Sequence, residues 1–260
     1  MNVVRVEHVY KDYLLDKQVV PALKDITLSI ERGVFLAIAG PSGSGKTTLL
    51  NLIGCIDTPT RGTIYINDND VSGKTPDELA DLRACTIGFI FQNFNLLPVL
   101  SAAENVEYPL LQRADITKAE RQQRTSHFLD MVGLTPFAKH RPSQLSGGQR
   151  QRVAIARALA IQPAVVLADE PTANLDHVTG QEILQLMRNI NRRLNTTFIF
   201  STHDRRVMRM ADRLVKVEDG EISMLAMRNN KKWSKVRQLR APPDAFRERV
   251  DPTPSDGDAR

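Results

Sequence analysis

Long apolar runs are missing from this chain. The longest, such as VFLAIA at 34–39, fall far short of the roughly 20 consecutive apolar residues that a membrane-spanning helix needs. An apolar leader is missing as well: MNVVRVEHVYKDY carries charge throughout, which excludes a signal peptide and leads us to expect a cytoplasmic chain. Cysteine is scarce. Cys55 and Cys85 stand in no Cys-x-x-Cys or metal-ligand spacing, so redox chemistry and a thiolate metal centre are excluded and both read as reduced core thiols. Charge of one sign is in excess only near the end: nine of the 35 Lys/Arg and five of the 30 Asp/Glu fall in 228–260, leaving 26 basic and 25 acidic residues elsewhere. The formal charge of +5 therefore belongs to the tail, and a nearly neutral body argues against nucleic acid as a partner.

What is present is material for a core. With 42% hydrophobic residues in 260, the chain suits one large domain or two closely packed subdomains. Short β-rich runs recur: VVRVEHV, ITLSI, VFLAIAG, GTIYIND, IGFIFQ, AVVLAD, TTFIFST and RLVKVEDGEI. AVVLAD and VFLAIAG are apolar on both faces, as buried strands of a parallel sheet must be, whereas VKVEDGEI alternates about an Asp219-Gly220 hairpin turn. Helix starts are expected at Thr75…Glu78 with Pro76 in the first position, at Ser101…Glu104, and at Thr117…Glu120, the last ending near Gly133. From about 94 to 143 no strand pattern appears, so this stretch reads as a helical insertion in an α/β body. Beyond Met227 the composition turns to Asn, Lys, Arg, Pro and Asp, and a basic, polar, disordered tail is expected over 228–260.

The chemistry starts at GPSGSGKTT, residues 40–48. A glycine-rich loop between a strand and a helix lets backbone N–H groups converge on phosphate oxygens at the positive end of the helix dipole. Gly40, Gly43 and Gly45 give the loop its freedom, and Pro41, Ser42, Ser44 and Thr48 complete it. Lys46 is expected to reach the terminal phosphates and the Thr47 hydroxyl to ligate Mg²⁺. A nucleotide loop needs an acidic partner on the same sheet edge, and AVVLADE ends in two carboxylates. Asp169 would hold the metal and Glu170 would polarise an attacking water. Gln92, after IGFIFQ, and His203, after TTFIFST, emerge at the same edge, although each alone reads as an ordinary polar strand end. A second helix start, QLSGGQR, places Ser146, Gly147, Gly148 and Gln149 where another anion could bind.

With GPSGSGKTT, FQ, LSGGQ, VVLADEP, NLD and STHD in that order, the chain resembles the ATP-binding subunit of an ATP-binding cassette transporter over about residues 3–225. It looks most like the lipoprotein-releasing and macrolide-exporting group, to which a cell-division ATPase is related. The resemblance implies a P-loop NTPase (RecA-like) core with a mostly parallel sheet, an N-terminal antiparallel β portion and an inserted helical subdomain at about 94–150. All of this would lie in an ATPase domain of 1–227. It also implies ATP and Mg²⁺ as ligand and cofactor, and roles for single residues. Gln92 becomes a metal ligand that joins the site to a transmembrane partner, and His203 a switch at the γ-phosphate. Tyr13 matches the aromatic that stacks on adenine, with Tyr10 close enough to fill that role. Asp176 matches an aspartate that communicates across a dimer, although an Asp before a helix also serves as a simple N-cap. Two subunits are implied to pack head to tail, each ATP lying between one subunit's loop of 40–48 and the other's Ser146–Gln149, which accounts for two anion sites in one chain. The implied partner is a separately encoded transmembrane permease subunit, with the ATPase peripheral on the cytoplasmic side of the inner membrane and working in export or lipoprotein release. The alternative is a regulatory ATPase that signals through a membrane protein. Ribosome- or DNA-acting relatives carry a second cassette, a coiled-coil or a zinc insertion, and this chain has none of these.

Overall fold

Two β-sheets organise the chain in a computed structural model that describes residues 1–16, 18–229 and 232–238. The strands are β1 (Asn2–Leu15), β2 (Gln18–Glu31), β3 (Phe35–Ala39), β4 (Arg61–Ile66), β5 (Asn69–Asp70), β6 (Ile87–Ile90), β7 (Val165–Asp169), β8 (Thr197–Thr202), β9 (Arg213–Glu218), β10 (Glu221–Asn229) and β11 (Lys232–Gln238). The helices are α1 (Lys46–Ile53), α2 (Ala80–Thr86), α3 (Ala102–Glu107), α4 (Lys118–Met131), α5 (Gly147–Ala160), α6 (His177–Leu194) and α7 (Arg205–Met210). The smaller sheet, in the order β2-β1-β4-β5, is antiparallel. The larger runs β11-β10-β9-β3-β8-β7-β6, parallel from β9 to β6 and antiparallel beyond β9.

The apolar strands lie at the middle of the large sheet, and their period of two divides the interior. Phe35, Ala37, Val166, Ala168, Phe198 and Phe200 point into one core, shared with α3, α4, α5 and α6. Leu36, Ile38, Val165, Leu167 and Ile199 point into another, shared with α1 and the antiparallel sheet. Phe35 and Phe200, ring centroids 4.4 Å apart, anchor the helical side. The expected α/β class, mostly parallel sheet, N-terminal antiparallel portion and helical insertion between β6 and β7 are all present.

Local signals held where local bonds decide. Asp219 and Gly220 take φ of 51° and 80°, the left-handed pair that a type I′ hairpin requires. Ser101 and Glu104 form a reciprocal capping box, Thr117 caps α4, and Gly133, φ 71°, follows its C-cap. The expected helix start at Thr75 does not form one. Thr75 and Glu78 exchange their capping bonds, but the Pro76 carbonyl accepts from Arg83 Nη1 at 2.9 Å and the helix proper begins at Ala80. The tail expectation is corrected in part. Instead of disorder from 228, the end of β10 and the whole of β11 form a hairpin, with Trp233 opposite Arg228, because a second antiparallel strand pairs the backbone groups along 224–229 that water alone would otherwise satisfy. The remainder of the expected tail, 239–260, lies outside the described residues.

Candidate active site

β3 delivers the loop of 40–48 to α1 at the C-terminal edge of the large sheet. Two of its glycines are demanded by packing. A Cβ on Gly40 would lie 2.0 Å from the Val217 carbonyl oxygen, and one on Gly45, φ 102°, would lie 2.7 Å from that of Ala22. Besides freeing the loop for a phosphate, these glycines let it sit under β2 and the β9–β10 turn. The Gly220 N–H donates to the Ser44 carbonyl at 3.1 Å and fastens that turn to the loop. The N-terminus of α1 is bare: no side chain caps Gly45 and no acidic residue stands in the first turn. Its orphan N–H groups and dipole therefore face outward for an anion. Lys46 is buried, its Nζ donating to the Pro41 carbonyl at 2.8 Å, and the buried Ser44 hydroxyl has no partner among the described residues.

The neighbouring strand ends supply the acids. Thr47 Oγ1 and Asp169 Oδ1, 122 positions apart in sequence, stand 3.5 Å from each other. This all-oxygen pair suits Mg²⁺, a hard cation that takes one or two protein ligands and leaves the rest of its octahedron to phosphates and water. No cluster of three or more His, Cys, Asp or Glu able to hold a metal by itself occurs among the described residues. Glu170 sits at φ 45°, an unusual conformation for a residue with a side chain, and its N–H donates to the Ser201 carbonyl at 2.9 Å. Its carboxylate Oε1 lies 2.6 Å from His203 Nδ1. The Glu170 side chain is 18% exposed and that of His203 75%, so the imidazole closes over the carboxylate from the solvent side.

Tyr13 lies beside this loop. Its hydroxyl donates to Asp57 Oδ2 at 2.9 Å, and Lys11 Nζ, 4.9 Å from its ring centroid, bonds the other oxygen of the same carboxylate at 2.6 Å. Burial, then the Asp57 bond, pushes the Tyr13 phenol up from its ordinary pKa. Burial opposes ionisation of Asp57, but Lys11, the Thr58 N–H and Tyr13 together hold its carboxyl below the usual range. Tyr10, the alternative aromatic, is covered by the Arg61 guanidinium at 4.4 Å.

Not all expected residues meet in one place. Gln92 is exposed just beyond β6, and its backbone carbonyl accepts from Asn174 Nδ2 at 3.0 Å. Ser146, Gly147, Gly148 and Gln149 begin α5, which packs on α3, α4, α6 and β6, whereas α1 packs on β2, β7 and β8. A Cβ on Gly147 would meet Leu175 and one on Gly148 would meet Thr179, so this helix start adjoins the segment of Asp176. Asp176 is the N-cap of α6, accepting from the Thr179 N–H, and its bonds to the Thr179 hydroxyl and then to that N–H hold its carboxyl below the usual range. The sequence reading missed Asp57, Gln151 and Asn174. Gln151 could have been found as a polar residue on the apolar face of α5; the other two carried no local signal.

A family model described as ABC transporter matches residues 23–173. The chain is 46% identical over 222 residues to the uncharacterized ABC transporter ATP-binding protein MJ0796 of Methanocaldococcus jannaschii, covering 84% of this chain and 94% of that one. It is 49% identical over 214 residues to the macrolide export ATP-binding/permease protein MacB of Rhodopirellula baltica, covering 82% of this chain but 31% of that longer protein. The dimeric structure of a post-hydrolysis state of MJ0796 bound to ADP and Pi superposes with a TM-score of 0.77 at 44% identity, over 91% of this chain and all of the other.

Proposed function

The chain belongs to the ABC transporter family as an ATP-binding and ATP-hydrolysing subunit, and from that premise we propose that it dimerises on ATP and drives a separately encoded membrane permease in export. The dimeric assembly of MJ0796 and the export activity named for MacB support this reading. One observation carries it: the bare N-terminus of α1 and the Ser146 end of α5 border opposite cores of one sheet, so one chain does not present both to the same phosphate. In a head-to-tail dimer each ATP would be held by 40–48 of one chain and Ser146–Gln149 of the other.

Within such a site Lys46 and the α1 N–H groups would bind the phosphates, and Tyr13 would stack on the base. Thr47 and Asp169, with Gln92 approaching from its loop, would hold Mg²⁺, whose chemistry when bound is to neutralise charge on the phosphates. Glu170 would orient and deprotonate the attacking water while His203 fixes its other oxygen and reaches the γ-phosphate. A groove of about 360 Å³ is lined by Phe89, Asn95, Tyr108, Pro109, Arg157 and Phe91, the residue that precedes Gln92. It is the surface we assign to a permease segment, which would place the ATPase on the cytoplasmic face of the membrane. No helix among the described residues is long and apolar enough to cross a membrane.

The test uses a mixture of Lys46→Ala and Ser146→Ala chains. If the signature acts across the dimer, a mixed dimer has one doubly damaged site and one intact site, and ATP trapping should recover relative to either homodimer. Differentially tagged mixed dimers that trap ATP no better than the homodimers would overturn the head-to-tail reading.

A further inference from the structure

The segment that follows Glu170 is pinned at both ends. Gln151, wholly buried in α5, donates from Nε2 to the Pro171 carbonyl at 2.9 Å, and the Thr172 hydroxyl lies 3.1 Å from Asp204 Oδ2, next to His203. Arg206, which pairs with Asp204, donates from Nη1 to the His177 carbonyl at 3.0 Å at the far end. Between these pins the tip, Ala173 and Asn174, is exposed. Asn174 spends both N–H bonds of its amide outside its own loop: Nδ2 donates to the Gln92 carbonyl at 3.0 Å and to Asn93 Oδ1 at 2.9 Å. Since a carbonyl can only accept, the amide nitrogen must face it. The bridge spans 82 positions and joins the loop bearing Gln92 to the one that leads, two residues later, to Asp176.

We propose that Asn174 is a positioning residue that ties these two loops into one moving part, so that a displacement at Asp176 reaches Gln92 and the two nucleotide sites of a dimer act cooperatively. The proposal rests on the dimer reading above. Asn174 itself touches no nucleotide in this scheme; it acts through the Gln92 backbone. The pins at Pro171, Thr172 and His177 leave the stretch 173–176, Asp176 included, as the part of the loop that can transmit motion.

Asn174→Asp isolates the bond, because it keeps the shape and Asn93 can turn its amide to donate to the new carboxylate. The Gln92 carbonyl, in contrast, then faces a repelling oxygen. The measurements are ATPase rate against ATP concentration, fluorescent-ATP binding in a Glu170→Gln background, and thermal melting. For a two-site dimer the wild-type Hill coefficient lies between about 1 and 2, and we expect it to fall to about 1 in Asn174→Asp and in Asn174→Ala by both rate and binding. A purely structural role would instead lower the melting temperature and leave the Hill coefficient in place, and retained cooperativity in both variants overturns the coupling role while the dimer stands. A wild type that stays monomeric with ATP and shows no cooperativity overturns the dimer reading, and the coupling role falls with it.

Discussion

Each face of the large sheet buries an apolar core, but the two end in opposite kinds of helix. On the β-covered face, the N-terminus of α1 is left uncapped and its loop is braced from behind by Ala22, Val217 and Gly220. On the helical face, α5 closes its own N-terminus: Ser146 accepts from the Gln149 N–H, and the Gln149 side chain accepts from the Ser146 N–H at 2.8 Å. The first is a receptor already built for an anion. The second has its Ser146 and Gln149 N–H groups tied up in the cap, so what it offers a phosphate is the Ser146 O–H, whose oxygen accepts the cap bond while its hydrogen remains free to donate. The difference teaches that an isolated chain should bind ATP through one face and recruit the other only when a partner chain brings its ATP to it.

The largest effect should come where the faces meet. Glu170→Gln should lower turnover by about 10²–10⁴-fold, the usual contribution of a positioned base, with ATP still bound and the dimer accumulating on a sizing column. Wild-type turnover would remove Glu170 from the chemistry. Next in size, Phe198→Ala on the helical face should destabilise by about 3–5 kcal/mol and Leu52→Ala on the β-covered face by about 2–5 kcal/mol, both shifting one calorimetric transition because both side chains pack against the same sheet. Two separable transitions would break the picture of two cores made cooperative by one shared sheet. Tyr13→Ala should weaken ATP binding to the isolated chain by about 1–3 kcal/mol, the range for base stacking on an aromatic, while Ser146→Ala leaves that affinity alone; equal losses would erase the contrast between the faces.

The smallest effect is a pH dependence shared by both faces. Asp212 accepts from Arg188 Nη1 at 2.7 Å and from the Phe35 N–H at 3.1 Å, and although burial opposes ionisation these partners hold its carboxyl below the usual range, as Lys11 does for Asp57. A carboxylate with a depressed folded pKa stabilises above its unfolded value, about 3.9, and that contribution is lost as pH falls through the folded one. Denaturant midpoints should therefore drop as pH is lowered from about 5 towards 3, and Asp212→Asn should flatten the slope. An unchanged slope in that variant would mean that the Arg188 pair does not govern acid stability.

How much of this was legible in the sequence depends on distance along the chain. The loop of 40–48, the Asp219-Gly220 hairpin and the Ser101 cap are contiguous, and their chemistry is written in adjacent residues. β1 and β2 were legible only as the short runs VVRVEHV and ITLSI, yet each is 14 residues long. Their extension carries Asp12, Pro21 and Asp25, residues that normally argue against a strand. Pro21 is tolerated because β2 is an edge of its sheet and pairs only with β1. The Tyr13–Asp57 and Asn174–Gln92 bonds had no local trace, since each joins residues brought together only by the finished sheet.

That finished sheet arrives late in the life of the chain. β3 pairs with β8 and β9 alone, Phe35 lying opposite Phe198 and Leu36 opposite Arg213. A ribosome adding about 5–20 residues per second therefore leaves FLAIA unpaired on both edges for roughly 8–30 s while the next 160 or so residues are made. The strand that carries the nucleotide loop is thus the segment most exposed to misassembly during synthesis. The brace from Gly220 to Ser44 comes later still, so a product truncated just after β8 would leave the loop without its latch. Translation pauses before that point lengthen the exposure, and faster completion of the last third of the chain should raise the yield of nucleotide-competent protein.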